Sequence, residues 1–191
     1  HLHLVMEDAG SRNLRDVITA GQISIADVLL YAEGLASSLE TLHAHHIIHR
    51  DLNPTNIIVG DDLPSISIAD LGLAVRLSPS APYLVTETME GTLSYMAPEQ
   101  TGRVRRPIDV RSDLYALGCV IYDMVAGVPP FSSDDTLELI HAQIARTPLP
   151  LHERRSDCPR SLSDLVSILL QKDPEQRYQS AYGVRHDLSQ I

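Results

Sequence analysis

The sequence has little cysteine, little positive charge and no long apolar run. Two cysteines in 191 residues are too few for a disulfide framework, and we therefore expect a reducing, cytoplasmic location. No apolar stretch approaches the roughly 18 residues that a membrane helix needs, and no basic and apolar leader is visible, so we expect neither a span nor a secretion signal. The net charge of -10 argues against nucleic-acid binding, because phosphate neutralisation needs a basic face.

What is present fits one globular domain, which we take to cover residues 1–191. Hydrophobic residues make up 43% and charged residues 21%, a balance typical of a soluble protein with a real core. Residues 2–7 predict a strand, and the chain has no initiator methionine. A strand at the very start suggests that the sequence begins inside a larger protein.

The periodicity of apolar residues predicts a fold that is mainly α with a small β element (α+β). A short helix is expected at 14–20, and a long amphipathic helix follows Ser24, with buried positions at three- and four-residue steps up to Leu42. Other expected elements are strands at 57–59 and 65–68, a long and mostly irregular segment at 70–111, a buried helix at 114–125, and helices near 134–146, 161–171 and 180–190. Ser132 and Ser161, each three residues before an aspartate, are expected to cap the first two of these last helices.

The residues that can carry chemistry begin with the segment His49-Arg50-Asp51-Leu52-Asn53-Pro54-Thr55-Asn56, between the long helix and the first predicted strand. Phosphoryl transfer needs an acceptor for a hydroxyl proton, metal ligands, and charges that hold the phosphates in line. Asp51 and Asn56, five residues apart on one loop, can supply the first two. Alone, this pattern is only moderately specific, because it recurs in small-molecule phosphotransferases.

Three further segments follow in order. Asp70-Leu71-Gly72 comes directly off the second strand, where a carboxylate is a plausible Mg²⁺ ligand. The other two are Gly91-Thr92-Leu93-Ser94-Tyr95-Met96-Ala97-Pro98-Glu99-Gln100 and Arg111-Ser112-Asp113-Leu114-Tyr115-Ala116-Leu117-Gly118. Together with the first segment, they resemble the catalytic loop, the D-F-G motif, the A-P-E segment and the D-x-W-x-x-G helix start of protein kinases.

This resemblance covers essentially the whole chain and implies a serine/threonine protein kinase domain of the eukaryotic type. The sequence would hold the hinge and the large carboxy-terminal lobe, with the small amino-terminal lobe outside it. The implied cofactors are ATP and Mg²⁺, and the implied partners are protein substrates and the missing lobe of the same protein.

The resemblance also implies roles for individual residues in the reaction. Asp51 would be the catalytic base, Asn56 and Asp70 the Mg²⁺ ligands, and Thr92 the threonine that contacts the catalytic aspartate. Arg50 would meet a phosphate on the activation loop. The expected phosphorylation site is Thr88, three residues before Gly91, and the runner-up is Thr86.

Other residues would bind the nucleotide or hold the structure. In the hinge-like segment, Met6 would be the gatekeeper, and the backbone of Glu7 and Ala9 would bind adenine above a pocket floor formed by Ile58. The expected structural residues are His49 and Leu71 (packed between the catalytic and metal loops), Asp113 (holding the catalytic-loop backbone), and Glu99 with Arg177 (an ion pair).

Two departures and one narrower resemblance bear on activity. Leu71 replaces the usual phenylalanine, which is a mild change. Asn53 stands where most serine/threonine kinases carry a lysine that neutralises the transferring phosphate. Asn53-Pro54-Thr55-Asn56 and the segment from Gly91 to Arg103 resemble the kinase-like domain at the front of hybrid signalling proteins, in which an AAA-type ATPase, a GAF domain and a histidine kinase follow.

Three alternatives stay open at this point. A pseudokinase, acting as a nucleotide-responsive interaction module for neighbouring domains, is favoured by Asn53 and opposed by the retained Asp51, Asn56 and Asp70. A small-molecule kinase of the aminoglycoside type is opposed by Ala97-Pro98-Glu99. The third is a metal site in the histidine-rich stretch 43–49, which lacks the cysteines or ordered acids typical of zinc.

Overall fold

A computed structural model describes residues 12–60, 65–78, 83–84 and 89–191. The strand predicted at residues 2–7 lies outside these ranges. Within them the structure is mainly α with two small sheets, as the sequence predicts. The helices are α1 (Leu14–Ala20), α2 (Ile25–Ala44), α3 (Val110–Ala126), α4 (Thr136–Ala145), α5 (Leu151–Arg154), α6 (Arg160–Leu169) and α7 (Ala181–Leu188). None of these helices is both long enough and apolar enough to cross a bilayer.

The first two helices begin where the sequence predicts, and side chains cap both. Asn13 Oδ1 accepts a hydrogen bond from the Asp16 amide (3.0 Å) at the start of α1. Ser24 Oγ accepts one from the Asp27 amide (3.1 Å) at the start of α2. The apolar face of α2 packs against α3 and α7. The end of α2 is thereby fixed just before the loop that carries Asp51.

Helix α3 is buried along almost its entire length, as expected for a helix whose apolar residues are not confined to one face. Gly118 permits close contact with α6, because a Cβ atom at this position would lie 2.7 Å from the Cβ of Leu169. Cys119 is fully buried, and desolvation raises the pKa of its thiol. Residues near the start of α3 are therefore held in place by a buried, closely packed helix.

The two small sheets are antiparallel. In the first, the order is β1 (Arg12–Asn13), β3 (Ile57–Val59), β4 (Ile66–Ile68); in the second, β2 (Ile47–Ile48) pairs with β5 (Val75–Arg76). The predictions of β3 and β4 are confirmed. The three two-residue strands were not predicted, because they are too short to show an alternating pattern.

Two predicted helix caps are wrong. Asp135, not Ser132, caps α4, and its Oδ1 accepts from the Leu137 amide at 2.8 Å. Ser161 lies inside α6, whose capping position is occupied by Pro159. Aspartate is itself one of the best capping residues, and proline is favoured at the start of a helix. Asp135 and Pro159 therefore occupy the capping positions that the serine-based pattern assigned to Ser132 and Ser161. The four-residue helix α5 was also not predicted.

Candidate active site

The segment 49–56 lies between β2 and β3, and a buried carboxylate at the start of α3 anchors its backbone. Asp113 Oδ2 accepts from the His49 amide and Oδ1 from the Arg50 amide, both at 2.9 Å. Arg50 has φ 69°, a conformation that is rare for a residue with a side chain. His43 Nε2 lies 2.9 Å from Asp113 Oδ2. Asp113 thus holds two consecutive amides, the kind of over-determined support that an unusual backbone conformation requires.

Asp51 follows directly, and each of its carboxylate oxygens has a partner. Oδ1 accepts from the Thr92 amide (2.7 Å), and Oδ2 accepts from Asn56 Nδ2 (3.0 Å). The close approach of the two segments depends on Gly91. Its φ is +112°, and a Cβ atom there would lie 3.2 Å from Asp51 Oδ1 and 3.3 Å from the Arg50 carbonyl. The structure therefore brings Asp51, Asn56 and Thr92 together, although the contact of Thr92 with Asp51 is made by its backbone.

Asn53 is only 2% exposed, and its hydrogen-bonding capacity is fully used. Nδ2 donates to the Asp51 carbonyl (3.1 Å) and to Thr92 Oγ1 (3.0 Å). Oδ1 accepts from the amide of Thr55 (2.9 Å) and from its hydroxyl. Since an amide has two donor hydrogens and two acceptor lone pairs, no further bond is open to it. Asn53 links the catalytic loop to the Thr92 segment and caps the 3₁₀ turn Pro54–Asn56.

The loop that contains Asp70 is hydrogen-bonded to the segment 49–56 through Ala69, the residue before Asp70. The Ala69 amide donates to the Asn56 carbonyl (2.8 Å), and His49 Nε2 lies 3.1 Å from the Ala69 carbonyl. Asp70 itself is exposed, has φ 58°, and accepts a hydrogen bond from the Gly72 amide (3.0 Å). The backbone contacts bring Asp70 next to Asn56.

These two residues fit a magnesium ion. A carboxylate and an amide oxygen are hard ligands, and Mg²⁺ typically takes few protein ligands and keeps several waters. The nitrogen of the Asn56 amide is engaged with Asp51, which leaves its oxygen to bind a cation. Within the described ranges, no group of three or more His, Cys, Asp or Glu side chains could hold a metal.

The surroundings of these loops agree only partly with expectation. His49 is buried between the two loops, as expected. Leu71 is 53% exposed, so the prediction that it packs between these loops is wrong within the described part of the chain. Its position directly after exposed Asp70 carries it away from the core. Ile58 is half-buried and pairs with Asn13 and Ser67 in the sheet. Met6, Glu7 and Ala9 lie outside the described residues.

The side chain of Arg50 is 7% exposed and meets a carboxylate that sequence reasoning missed. Nη2 lies 3.1 Å from Oε2 of Glu90, and Nη1 donates to the Leu73 carbonyl at 3.4 Å. Nε is buried without a partner among the described residues. Thr86 and Thr88 lie outside the described residues. Glu90 carries no motif signal of its own, because its role depends on a contact 40 residues away in sequence.

Glu99 and Arg177 form a buried bidentate ion pair, with N–O distances of 2.7 and 2.9 Å. Ser112 Oγ also donates to Glu99 (2.8 Å). The neighbouring Gln100 donates from Nε2 to the Arg50 carbonyl at 2.8 Å, a contact not predicted from the sequence. The ion pair therefore fixes the turn from which Gln100 supports the catalytic loop.

A second buried acid, Asp123 in α3, was also missed. It accepts from the hydroxyl of Tyr95 and from Arg15 of α1. Burial, followed by this contact with Asp123, raises the pKa of Tyr95. The signal available in the sequence was a single acidic residue inside the otherwise apolar helix predicted at 114–125.

The chain is similar in sequence to known proteins. Residues 1–189 match the family described as the protein kinase domain. The chain is 32% identical over 190 residues to a probable serine/threonine-protein kinase of Clostridium acetobutylicum, and 32% identical over 191 residues to the serine/threonine-protein kinase PknB of Mycolicibacterium smegmatis. Each match covers 99% of the chain, which spans 28% and 30% of the length of these relatives.

Proposed function

The chain belongs to the protein kinase domain family, and from that premise we propose that it serves ATP-dependent phosphorylation of serine or threonine residues of proteins. The single observation that carries this proposal is the geometry of Asp51. Its two carboxylate oxygens are held by Thr92 and Asn56, on a loop whose backbone is anchored by Asp113. Curated relatives with serine/threonine kinase names support the same class of substrate.

In this proposal Asp51 accepts the proton of the substrate hydroxyl as that oxygen attacks phosphorus. Catalysis of phosphoryl transfer consists largely of positioning and electrostatic stabilisation, so a base held in place by fixed partners is the main contribution of this loop. Thr92 orients Asp51 through its amide, and Asn53 keeps the two segments together. Asn53 supplies no positive charge, which predicts slow transfer.

Asn56 and Asp70 would hold Mg²⁺, which when bound neutralises phosphate charge. Their orientation is set by this chain, through the contact of Asn56 with Asp51 and of Ala69 with the Asn56 carbonyl. For the adenine of ATP, the resemblance assigns Met6, Glu7, Ala9 and Ile58.

We also propose that residues 1–191 form the hinge and the large lobe of one kinase domain, and that chain outside this sequence completes the nucleotide site. The glycine-rich loop and the strand lysine of protein kinases have no counterpart in these residues. Neighbouring signalling domains in the same protein, such as the ATPase, GAF and histidine kinase modules of hybrid proteins, are the partners in cis that the narrower resemblance favours.

The second candidate is a pseudokinase that binds nucleotide and controls such neighbours. One observation favours it: Asn53, at the position of the usual lysine, is neutral and buried, with all its hydrogen bonds made inside the protein. The retained Asp51, Asn56 and Asp70 favour the enzyme.

The experiment uses the full-length protein that contains this sequence. Transfer of radiolabelled γ-phosphate from Mg·ATP to a generic protein acceptor is measured for the parent, Asp51→Asn, and the control Asp164→Asn, an exposed aspartate on α6. We expect loss of transfer in Asp51→Asn alone, with melting temperatures nearly unchanged. Unaltered turnover in Asp51→Asn would refute its role as base, and nucleotide binding without transfer in the parent would favour the pseudokinase.

A further inference from the structure

Gln143, in the last turn of α4, is completely buried. Its Oε1 accepts a hydrogen bond from the Tyr115 hydroxyl at 2.7 Å, and its Nε2 donates to the Leu93 carbonyl at 2.9 Å. These two partners belong to different parts of the molecule. Tyr115 lies on the central helix α3, and Leu93 lies in the segment that also carries Thr92. Gln143 therefore connects the rigid core to the segment that contacts Asp51.

The direction of this connection is fixed by a half-buried lysine. Lys172 Nζ donates to the Tyr115 hydroxyl at 2.9 Å and lies 4.3 Å from the centre of the Phe131 ring. An ammonium group has donors only, so the tyrosine hydroxyl must accept from Lys172 and can give its own proton to Gln143. With Oε1 engaged in this way, Nε2 is the end of the amide that faces Leu93. The chain of bonds Lys172–Tyr115–Gln143–Leu93 is called the Gln143 bridge below.

The far end of the bridge adjoins the proposed base. Leu93 begins the 3₁₀ turn Leu93–Tyr95, and the residue before it, Thr92, donates its amide to Asp51 Oδ1 at 2.7 Å. The Leu93 side chain packs against the small apolar cluster of Phe131, Leu139 and Ala142. Both the side chain and the carbonyl of Leu93 are thus held by the region around α4, one peptide away from the Asp51 contact.

We propose that Gln143 is a positioning residue for phosphoryl transfer: by holding the Leu93 carbonyl, it keeps the Thr92 amide on Asp51. The inference rests on the proposed function. Gln143 does not touch the reacting atoms. A role in stability alone would require only that its buried amide be satisfied, whereas a positioning role requires that loss of the bridge disturb Asp51.

The test compares three variants of the full-length protein. Gln143→Met removes the amide with little change in volume. Tyr115→Phe removes the link to Lys172 and leaves Gln143 in place. Leu165→Ala destabilises α6 in the main core without removing a side chain of the bridge, and serves as the stability-matched control. All are assayed well below their melting temperatures.

Two readouts are taken, and one of them does not depend on activity. We expect kcat to fall about tenfold in Gln143→Met, which corresponds to the loss of one hydrogen bond, and about threefold in Tyr115→Phe, which weakens the bridge only in part. The KM for ATP should stay unchanged in both variants, and Leu165→Ala should behave like the parent. Hydrogen exchange of the Thr92 amide, measured on overlapping peptides that begin at or before residue 89, should become faster in Gln143→Met but not in Leu165→Ala.

The outcomes separate the two proposals. A parent without transfer activity would contradict the proposed function, and the exchange of Thr92 would still test the bridge. Unchanged Thr92 exchange in Gln143→Met would overturn the inference whatever the activity. Equal losses of kcat in Gln143→Met and Leu165→Ala would overturn it as well, because they would reduce Gln143 to a stability role.

Discussion

The loop that carries Asp51 and the loop that carries Asp70 are neighbours, yet they are held in different ways. Asp51 sits on backbone anchored by buried Asp113, and its carboxylate is fixed by groups 5 and 41 residues away. Asp70 is exposed, and in the described part of the chain it accepts a local hydrogen bond, from the amide of Gly72. Both loops contain a residue with positive φ, but only the first surrounds it with buried partners.

This difference separates two ways of building a site. The backbone of the first loop is preorganised by buried groups, so changes to these anchoring groups should alter both stability and chemistry. The second loop presents a ligand to whatever binds it, so changes there should alter chemistry alone. If this division is correct, the largest loss of stability should come from the buried contacts that support the first loop.

Removing one partner of the Glu99–Arg177 pair should have the largest effect on stability. This ion pair supports the turn from which Gln100 donates to the Arg50 carbonyl. Both side chains are buried, and Arg177→Ala strands a charge, so we expect a loss of about 3–5 kcal/mol in the free energy of unfolding. The control is Arg106→Ala, which breaks the exposed pair with Asp173 and should leave the free energy of unfolding nearly unchanged, because water and salt screen exposed charges. Denaturant unfolding measures both, and equal midpoints would contradict the buried support.

The second prediction compares the two loops directly. Asp113→Asn replaces a buried carboxylate that accepts from the amides of His49 and Arg50. We therefore expect the free energy of unfolding to fall by about 2 kcal/mol and phosphate transfer to be lost. Asp70→Asn should abolish transfer through loss of Mg²⁺ while the melting temperature stays at the parental value. If Asp70→Asn melted as early as Asp113→Asn, the exposed loop would also be structural, and the division would fail.

The contrast between the loops also shows what the sequence could predict. Helices α2 and α3 and strands β3 and β4 were predicted because their apolar periods are local. The motif residues Asp51, Asn56, Asp113, Glu99 and Arg177 were found through resemblance. Gln100, Glu90 and Gln143 were missed, since each acts through partners 40–50 residues away. The expected burial of Leu71 failed because motif spacing does not show how far a loop projects into solvent.

The third prediction concerns Asn53, where the preorganised loop departs from the lysine that the resemblance to serine/threonine kinases leads one to expect. A lysine would place a full charge near the phosphoryl group, and charge-assisted bonds are about twice as strong as neutral ones. Lysine has no acceptor, however, so Asn53→Lys leaves the amide of Thr55 without its cap. We expect single-turnover transfer to rise about tenfold, Mg·ATP binding by calorimetry to stay unchanged, and the free energy of unfolding to fall by about 1 kcal/mol.

The reverse result would be informative. Robust transfer in the parent that falls in Asn53→Lys would show that the site is adapted to asparagine, and the prediction of a weakened enzyme would be wrong. Absence of Mg·ATP binding in both versions would favour a scaffold.

The smallest effect is expected at Arg50, on the boundary between the buried and the exposed parts of the site. Its guanidinium is buried, but the Glu90 side chain that meets it is 47% exposed, so water and salt weaken the attraction. A carboxylate already present at Arg50 should partly replace the phosphate that the resemblance predicts for Thr88 or, failing that, Thr86. A phosphate there would offer more acceptor oxygens, including one for Arg50 Nε, which has no partner among the described residues.

We therefore expect Glu90→Gln to reduce transfer about threefold in phosphatase-treated protein, since the ion pair becomes a neutral contact. The difference should disappear once the segment is phosphorylated, because the phosphate then holds Arg50. Phosphopeptide mapping identifies the site, and Glu153→Gln, an exposed position on α5, is the control. Active protein modified at neither threonine would contradict the phosphorylation prediction. A loss that persists after phosphorylation would instead mean that Glu90 acts in some way other than standing in for the phosphate.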